Sequence, residues 1–411
     1  MLKGHPQGAG TASLGRKKVE QMREDEIREH LVRDIIPFWK SLRDDEYGGY
    51  YGEMDHDLKL YRRADKGCIL NSRILWFFSN AYLTLGDKEC LACAGHAWEF
   101  LKEYFYDSEN GGVFWSVTYD GKPSDDTKHT YNQAFAVYGL ASYYSASGEK
   151  EALSLAYALV EKMEGRCRDE DGYLEAFDRY FKPASNEKLS ENGVMAGRTM
   201  NTLLHVLEAY TELYRVDKKE FIADMIKRML ELFAEKVYNP GKRRLEVFFD
   251  LDMNSLIDLN SYGHDIEASW LLDRSVEVLG DPAYASIITP ITGQLADHIH
   301  SVAMDEASLY NECEEGRVDT RKVWWVQAEA VVGFLNGYEK SPDRTDYLVS
   351  AGKVWDFIRR KVIDPRQGSE WFNELYRDGA PIQTKEMVGP WKCPYHNGRM
   401  CFEVINRGIV F

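Results

Sequence analysis

The amino-acid sequence predicts an all-α protein, an (α/α)6 toroid of twelve helices with short β-hairpin loops at one mouth. Three observations predict it. Two kinds of helical segment alternate along the chain, short β-like runs recur between the helix pairs, and neither end carries the polar capping repeat that an open solenoid needs. The first kind of helix is amphipathic: Ile27, Leu31, Ile35 and Phe38 form one apolar stripe, and Ile226, Met229, Leu230, Phe233 and Val237 form another. The second kind is apolar nearly all round, as in Ala134 to Leu140 and Ala328 to Leu335. Such helices are buried on every side, so the alternation reads as inner helices wrapped by outer ones. The β-like runs begin near Gly48, Gly111, Gly172, Arg244, Ser308 and Gly368, at spacings of 60 to 72 residues. That is one helix pair and one hairpin-like loop, repeated six times.

A chain of 411 residues ordinarily divides into two or three domains. A closed ring of repeats removes the need, so residues 19–411 are expected to form a single barrel. Residues 1–18, rich in Gly, Ser and Lys without periodicity, read as a flexible leader.

Composition narrows the function. A formal net charge of −16 argues against nucleic acid and anionic membrane surfaces as partners. It suits a neutral small molecule. Aromatic residues make up 13% of the chain, with 10 Trp and 25 Tyr, and their faces suit sugar rings as well as an ordinary core. Seven cysteines, an odd number spread along the chain, suggest free thiols and a cytoplasmic protein. Cys90 and Cys93 form a C-x-x-C, but inside a helix, where a redox role is not expected. No stretch has the apolar length of a membrane span. The chain is expected to work as a monomer.

The repeat predicts where chemistry sits. Inner helices run parallel, so their N-termini converge at one mouth beside the six loops. The groups delivered there are Arg73; Tyr131; Asn201 and His205; His264 and Glu267; Trp325 and Glu329; Trp391 and His396. Taken singly, several have ordinary readings: Arg73 and Tyr131 as helix-start contacts, His205 as a core histidine, Trp325 as core. His264 and Glu267 lie three apart on one helix face, where a carboxylate can orient and charge an imidazole. GPWKCPYHNG, with two Pro, two Gly, a Trp and a His, is a poor helix and a plausible site loop.

No dinucleotide fingerprint, phosphate loop, H-E-x-x-H or G-x-S-x-G is present. Cys393 and His396 lack a second ligand pair, so no metal and no cofactor are expected. A glycosidase on this fold needs two carboxylates across a sugar bond, whereas imidazoles dominate here. Imidazole takes and returns a proton near neutral pH, which suits proton abstraction beside a carbonyl. An opened aldose offers such a proton at C2, and an enediolate returned to the other face is an epimer. An Arg and helix N-termini would hold the developing charge.

The segments ADKGCILNSRILWFFSNAY, KHTYNQAFAVYGL, SENGVMAGRTMN, SYGHDIEASWLLDR, TRKVWWVQAEAVVGF and GPWKCPYHNGRMCFEVI resemble the N-acylglucosamine 2-epimerase superfamily, most closely its cellobiose 2-epimerase branch. The resemblance runs from about residue 36 to the C-terminus and implies an (α/α)6 barrel acting on the reducing-end glucose of β-1,4-linked disaccharides. It implies that His396 handles the C2 proton, that His264 handles ring opening and is the other acid–base partner, and that Glu267 supports His264. It further implies substrate contacts by Arg73, Tyr131, Asn201, His205 and Glu329, and sugar stacking by Trp324 or Trp325 and by Trp391. Whether one histidine or two exchange the C2 proton stays open, as does an epimerase for monosaccharides.

Overall fold

A computed structural model describes residues 23–411 and shows twelve helices among them, closed into an (α/α)6 toroid. The expected leader, residues 1–18, lies outside the described residues. The outer helices are α1 (23–41), α3 (Lys88–Phe100), α5 (Lys150–Lys162), α7 (Glu220–Leu232), α9 (Pro282–Val302) and α11 (Thr345–Phe357). The inner ones are α2 (Cys68–Leu85), α4 (Thr130–Ser147), α6 (Met200–Val216), α8 (Tyr262–Leu279), α10 (Trp324–Lys340) and α12 (His396–Arg407). Each inner helix packs on the next, and α12 packs back on α2, so the ring is closed.

Burial follows the sequence pattern. In α4 every residue from Thr130 to Ser142 is buried, because outer helices cover one side and inner neighbours the others. In α7 only Ile222, Ala223, Ile226, Met229 and Leu230 are buried, the amphipathic stripe facing inward. Four outer helices end in a five-residue π-helical turn, such as Leu101–Phe105 and Phe233–Val237, whose first and last residues are both buried. Gly139 lets α4 approach α2, since a Cβ there would stand 2.6 Å from the Ser72 carbonyl oxygen.

The hairpin loops form a second ring above the helices. The two or three residues before each of the first five inner helices pair antiparallel with the loop of the following repeat: Lys66–Gly67 with Ser116–Val117, Lys128–His129 with Ala176–Phe177, and Arg198–Thr199 with Phe248–Phe249. Leu259–Ser261 pairs with Glu312–Glu314, and Lys322–Val323 with Glu374–Leu375. A bridge between Met54 and Val388 joins the last loop to the first.

In five of the six loops an ion pair with a buried cation ties the end of the loop to its own beginning. Lys66 bonds Asp44 at 2.7 Å and Lys128 bonds Asp107 at 3.1 Å, all four side chains being no more than 1% exposed. Arg198 bonds Asp169, Lys322 bonds Asp305, and Lys392 bonds Glu370. Lys66, Lys128, Arg198 and Lys322 each stand two residues before their inner helix, and Lys392 four before α12. Removing one partner would strand a charge inside the protein. The fourth repeat replaces the cation with Asn260, whose amide donates to Asp265.

Candidate active site

A cavity of about 540 Å³ opens where the inner-helix N-termini converge. Every expected site residue, from Arg73 to His396, lines it except that Glu329 sits one layer deeper, in contact with the lining. The repeat explains the gathering. Tyr131, Asn201 and Trp325 are the second residues of their helices, and Arg73, His205, Glu267 and Glu329 the sixth. Residues at one phase of parallel helices meet around the axis. The last repeat is out of phase. Residues 389–395 form a loop, and His396 is the first residue of α12.

Three imidazoles face this space, each held through Nδ1. His396 Nδ1 lies 2.7 Å from Glu329 Oε1, His205 Nδ1 lies 2.8 Å from Glu208 Oε2, and His264 Nδ1 lies 2.7 Å from Ser261 Oγ. Among the described residues nothing bonds their Nε2 atoms. With a carboxylate on Nδ1, that nitrogen carries the hydrogen and Nε2 keeps its lone pair. Burial drives all three toward the neutral form: it holds His264 down to about 3, and sets His396 well below and His205 below the usual imidazole value. The Trp325 ring lies against both His264 and His396, at 4.8 and 5.2 Å between centroids. Gly263 makes room for it, because a Cβ there would collide with the Trp325 ring.

One expectation is corrected. Glu267 lies three residues from His264 but does not bond it. Its Oε1 accepts from the Arg399 guanidinium and sits 3.8 Å from His396 Nδ1. Glu329, expected as a substrate contact, bonds His396 Nδ1. It also accepts from Arg399 Nη2 at 2.6 Å and Trp270 Nε1 at 3.0 Å. The physical reason is competition for position. His264, near the helix start, reaches the preceding strand's Ser261, while Glu267 reaches down to the buried Arg399 of α12.

Arg399 is the node of the floor. It donates to Glu208 at 2.5 Å, to Glu267 and Glu329, and to the Tyr395 hydroxyl, which in turn donates to Glu208 at 2.5 Å. One guanidinium cannot neutralise three buried carboxylates, so a proton stays with them. Burial, then the charge of Glu329, pushes the Glu267 carboxyl up to about 8. Burial raises Glu329 too, but it accepts three donors, whereas Glu267 Oε2 has none among the described residues. Ligand atoms of Glu267, Glu329 and His396 lie within 4.8 Å of one another, a spacing that could hold a metal. Arg399 already supplies the positive charge between the two carboxylates.

Arg73 differs from Arg399. It is buried, donates to the Tyr131 hydroxyl at 2.8 Å and packs on Phe135 and Tyr395, and no carboxylate lies within 4.0 Å of it among the described residues. A buried guanidinium with no anion partner is suited to meet charge that develops on a ligand. Trp391 is 39% exposed at the rim, with Tyr131 and Trp115 beside it at 5.8 and 6.0 Å. Trp324 is buried, its ring under the Lys392 ammonium at 4.4 Å and edge-on to His396. Asn201 Oδ1 is buried and has no partner among the described residues. Cys90 and Cys93 lie buried in α3, with burial pushing the Cys90 thiol up to about 12, which suits inert packing.

A sequence model of N-acylglucosamine 2-epimerase (GlcNAc 2-epimerase) matches residues 48–398. The chain belongs to the N-acylglucosamine 2-epimerase family. It is 53% identical over 384 residues to a cellobiose 2-epimerase of Ruminococcus albus, covering 93% of this chain and 98% of that one. A crystal structure of a sugar epimerase from a ruminal bacterium superposes with a TM-score of 0.93 at 52% identity, covering 94% of this chain and all of the other. A cellobiose 2-epimerase structure from Bacillus thermoamylovorans gives 0.90 at 45% identity, with 94% and 100% coverage. The protein is thus a carbohydrate epimerase of this family. Sequence reading missed Arg399, Glu208, Tyr395, Trp270 and Ser261. A signal for two of them was present: Glu208 follows His205, and Arg399 follows His396, at the three-residue spacing that drew attention to Glu267.

Proposed function

We propose that the protein inverts C2 of the reducing-end glucose of β-1,4-linked disaccharides, turning cellobiose into glucosyl-mannose and lactose into epilactose. The observation that carries this is the pair of imidazoles, His264 and His396, held at one cavity wall against Trp325. His264 moves the proton that opens the ring. His396 Nε2 takes the C2 proton, and the electron pair of that bond flows into the aldehyde to give an enediolate. Arg73 meets the charge on O1. A proton returned to the opposite face completes the inversion, from His264 or from His396 after rotation about C2–C3. Glu329 orients His396 and stabilises its imidazolium. Trp325 and Trp391 hold the sugar rings, and Tyr131, Asn201 and His205 hold its hydroxyls. The cavity volume falls in the range of roughly 300–1,000 Å³ common to small-molecule sites, which leaves room for two rings.

In this reading the chain acts as a cytoplasmic monomer. Its seven cysteines are free thiols, and no helix among the described residues is long and apolar enough to cross a membrane. Incubation with cellobiose, lactose, mannose and N-acetylmannosamine tests it. Mannose-type products from the two disaccharides are expected. Conversion of the monosaccharides alone would move the substrate class, and glucose release from cellobiose without a mannose-type product would reject epimerisation.

A further inference from the structure

We infer that residues 184–197 form a strap across the outer wall of the sugar cavity, and that its two anchors, Lys188 and Asn192, set how large a saccharide the enzyme accepts. The inference rests on the disaccharide reading above.

The strap belongs to the third loop, which makes the longest of the five spacings between successive loops, 72 residues from Gly172 to Arg244. It is tied into a compact unit by Asn186 donating to the Ala196 carbonyl at 3.2 Å and by Ala196 N donating to Ser190 Oγ at 3.1 Å. Two side chains leave that unit in different directions. Lys188 reaches the second repeat, bonding Asp125 at 2.7 Å and Thr127 at 3.1 Å, with its ammonium over the Trp115 ring. Asn192 reaches past the fourth repeat to the fifth. Its amide donates to Glu314 at 2.8 Å and Glu312 at 3.4 Å on the strand Glu312–Glu314. Between the anchors, Leu189, Glu191 and Asn192 line the cavity, Leu189 being buried.

Asn192 suits this place twice over. Its φ of +54° is left-handed, which asparagine tolerates better than most residues, and Gly193 follows at +73°. Its amide is also the donor that two neighbouring carboxylates require. The Lys188 anchor is continuous with the sugar-facing rim, because Trp115 lies 6.0 Å from Trp391. Leu189, Glu191 and Asn192 line the same cavity as His396, so a saccharide laid from His396 toward this wall meets the strap beyond its first rings. Further rings must pass the strap.

Asn192→Asp sets a third carboxylate against Glu312 and Glu314 and releases that anchor. Losing bonds to charged acceptors is expected to raise KM for cellobiose about tenfold, with kcat little changed. The ratio of kcat/KM for cellotriose to that for cellobiose rises several-fold. Adding Glu314→Gln, whose amide can donate to the new aspartate, restores both values toward the parent. Lys188→Met, cutting the other anchor, shifts the ratio in the same direction. An unchanged ratio in both single variants overturns the inference, as does an equal loss on both sugars without rescue by Glu314→Gln. A parent enzyme that epimerises no disaccharide would instead overturn the functional reading beneath it.

Discussion

Glu329→Gln probes the floor of the site most sharply. The substitution keeps shape but removes the charge that His396 Nδ1 meets at 2.7 Å. In the parent, C2 proton abstraction creates an imidazolium in contact with a carboxylate. A hydrogen bond to a charged group contributes about 1.5–3 kcal/mol, and two unit charges about 4 Å apart attract by about 4 kcal/mol at the effective dielectric of such sites. A loss of about 3–4 kcal/mol lowers kcat/KM some 10²- to 10³-fold. The fold should suffer little, because Arg399 retains Glu208 and Glu267 as partners. The assay is epimer formation from cellobiose by NMR, with thermal melting measured alongside. Parent-like kcat/KM would refute the role given to Glu329. So would a collapse of the melting temperature accompanying the lost activity, since that would make Glu329 a structural residue.

Arg73→Gln removes the guanidinium that has no carboxylate partner, and should lower kcat by about 10²–10³ with a smaller effect on KM; steady-state kinetics would count against the assignment if only KM moved. Lys66→Met strands Asp44, which is fully buried, and should cost about 3–5 kcal/mol in denaturant unfolding; a loss below about 1 kcal/mol would show that water or a neighbour relieves Asp44. The pH profile follows from burial. The base form of an imidazole is the neutral one, and both His264 and His396 have it favoured, so the acid limb of kcat/KM moves down. The enzyme should keep most of its neutral rate at pH 5.5, where an imidazole of ordinary value would retain about a tenth; a midpoint near 6.5 would contradict it.

The ring was legible because its signal is long-range and redundant. Six loop starts and two alternating helix types point to one closed architecture, and Met54 meeting Val388 supplies the closure that spacing alone implies. The mouth was legible for the same reason: phase within parallel helices delivers Arg73, His205, Glu267 and Glu329 to one axis. Pairing across the axis was not. Spacing of three places His264 and Glu267 on one helix face, but it says nothing of Arg399, which approaches from a helix 132 residues away and takes Glu267. For His205 and Glu208 the same spacing gives a real bond. The cation before most inner helices was in view as Lys66, Lys128, Arg198, Lys322 and Lys392, yet Asn260 breaks the series, and each acidic partner stands 17 to 29 residues upstream with no fixed spacing to mark it.

The central claim is that imidazoles facing this cavity move the C2 proton of a reducing sugar. Following cellobiose with the parent enzyme in heavy water by NMR tests it most directly. The account predicts a growing mannose-type reducing-end signal with deuterium appearing at C2, and neither change with His396→Asn. Epimer formed with its C2 proton fully retained, or deuterium incorporated at the parent rate by His396→Asn, would contradict it.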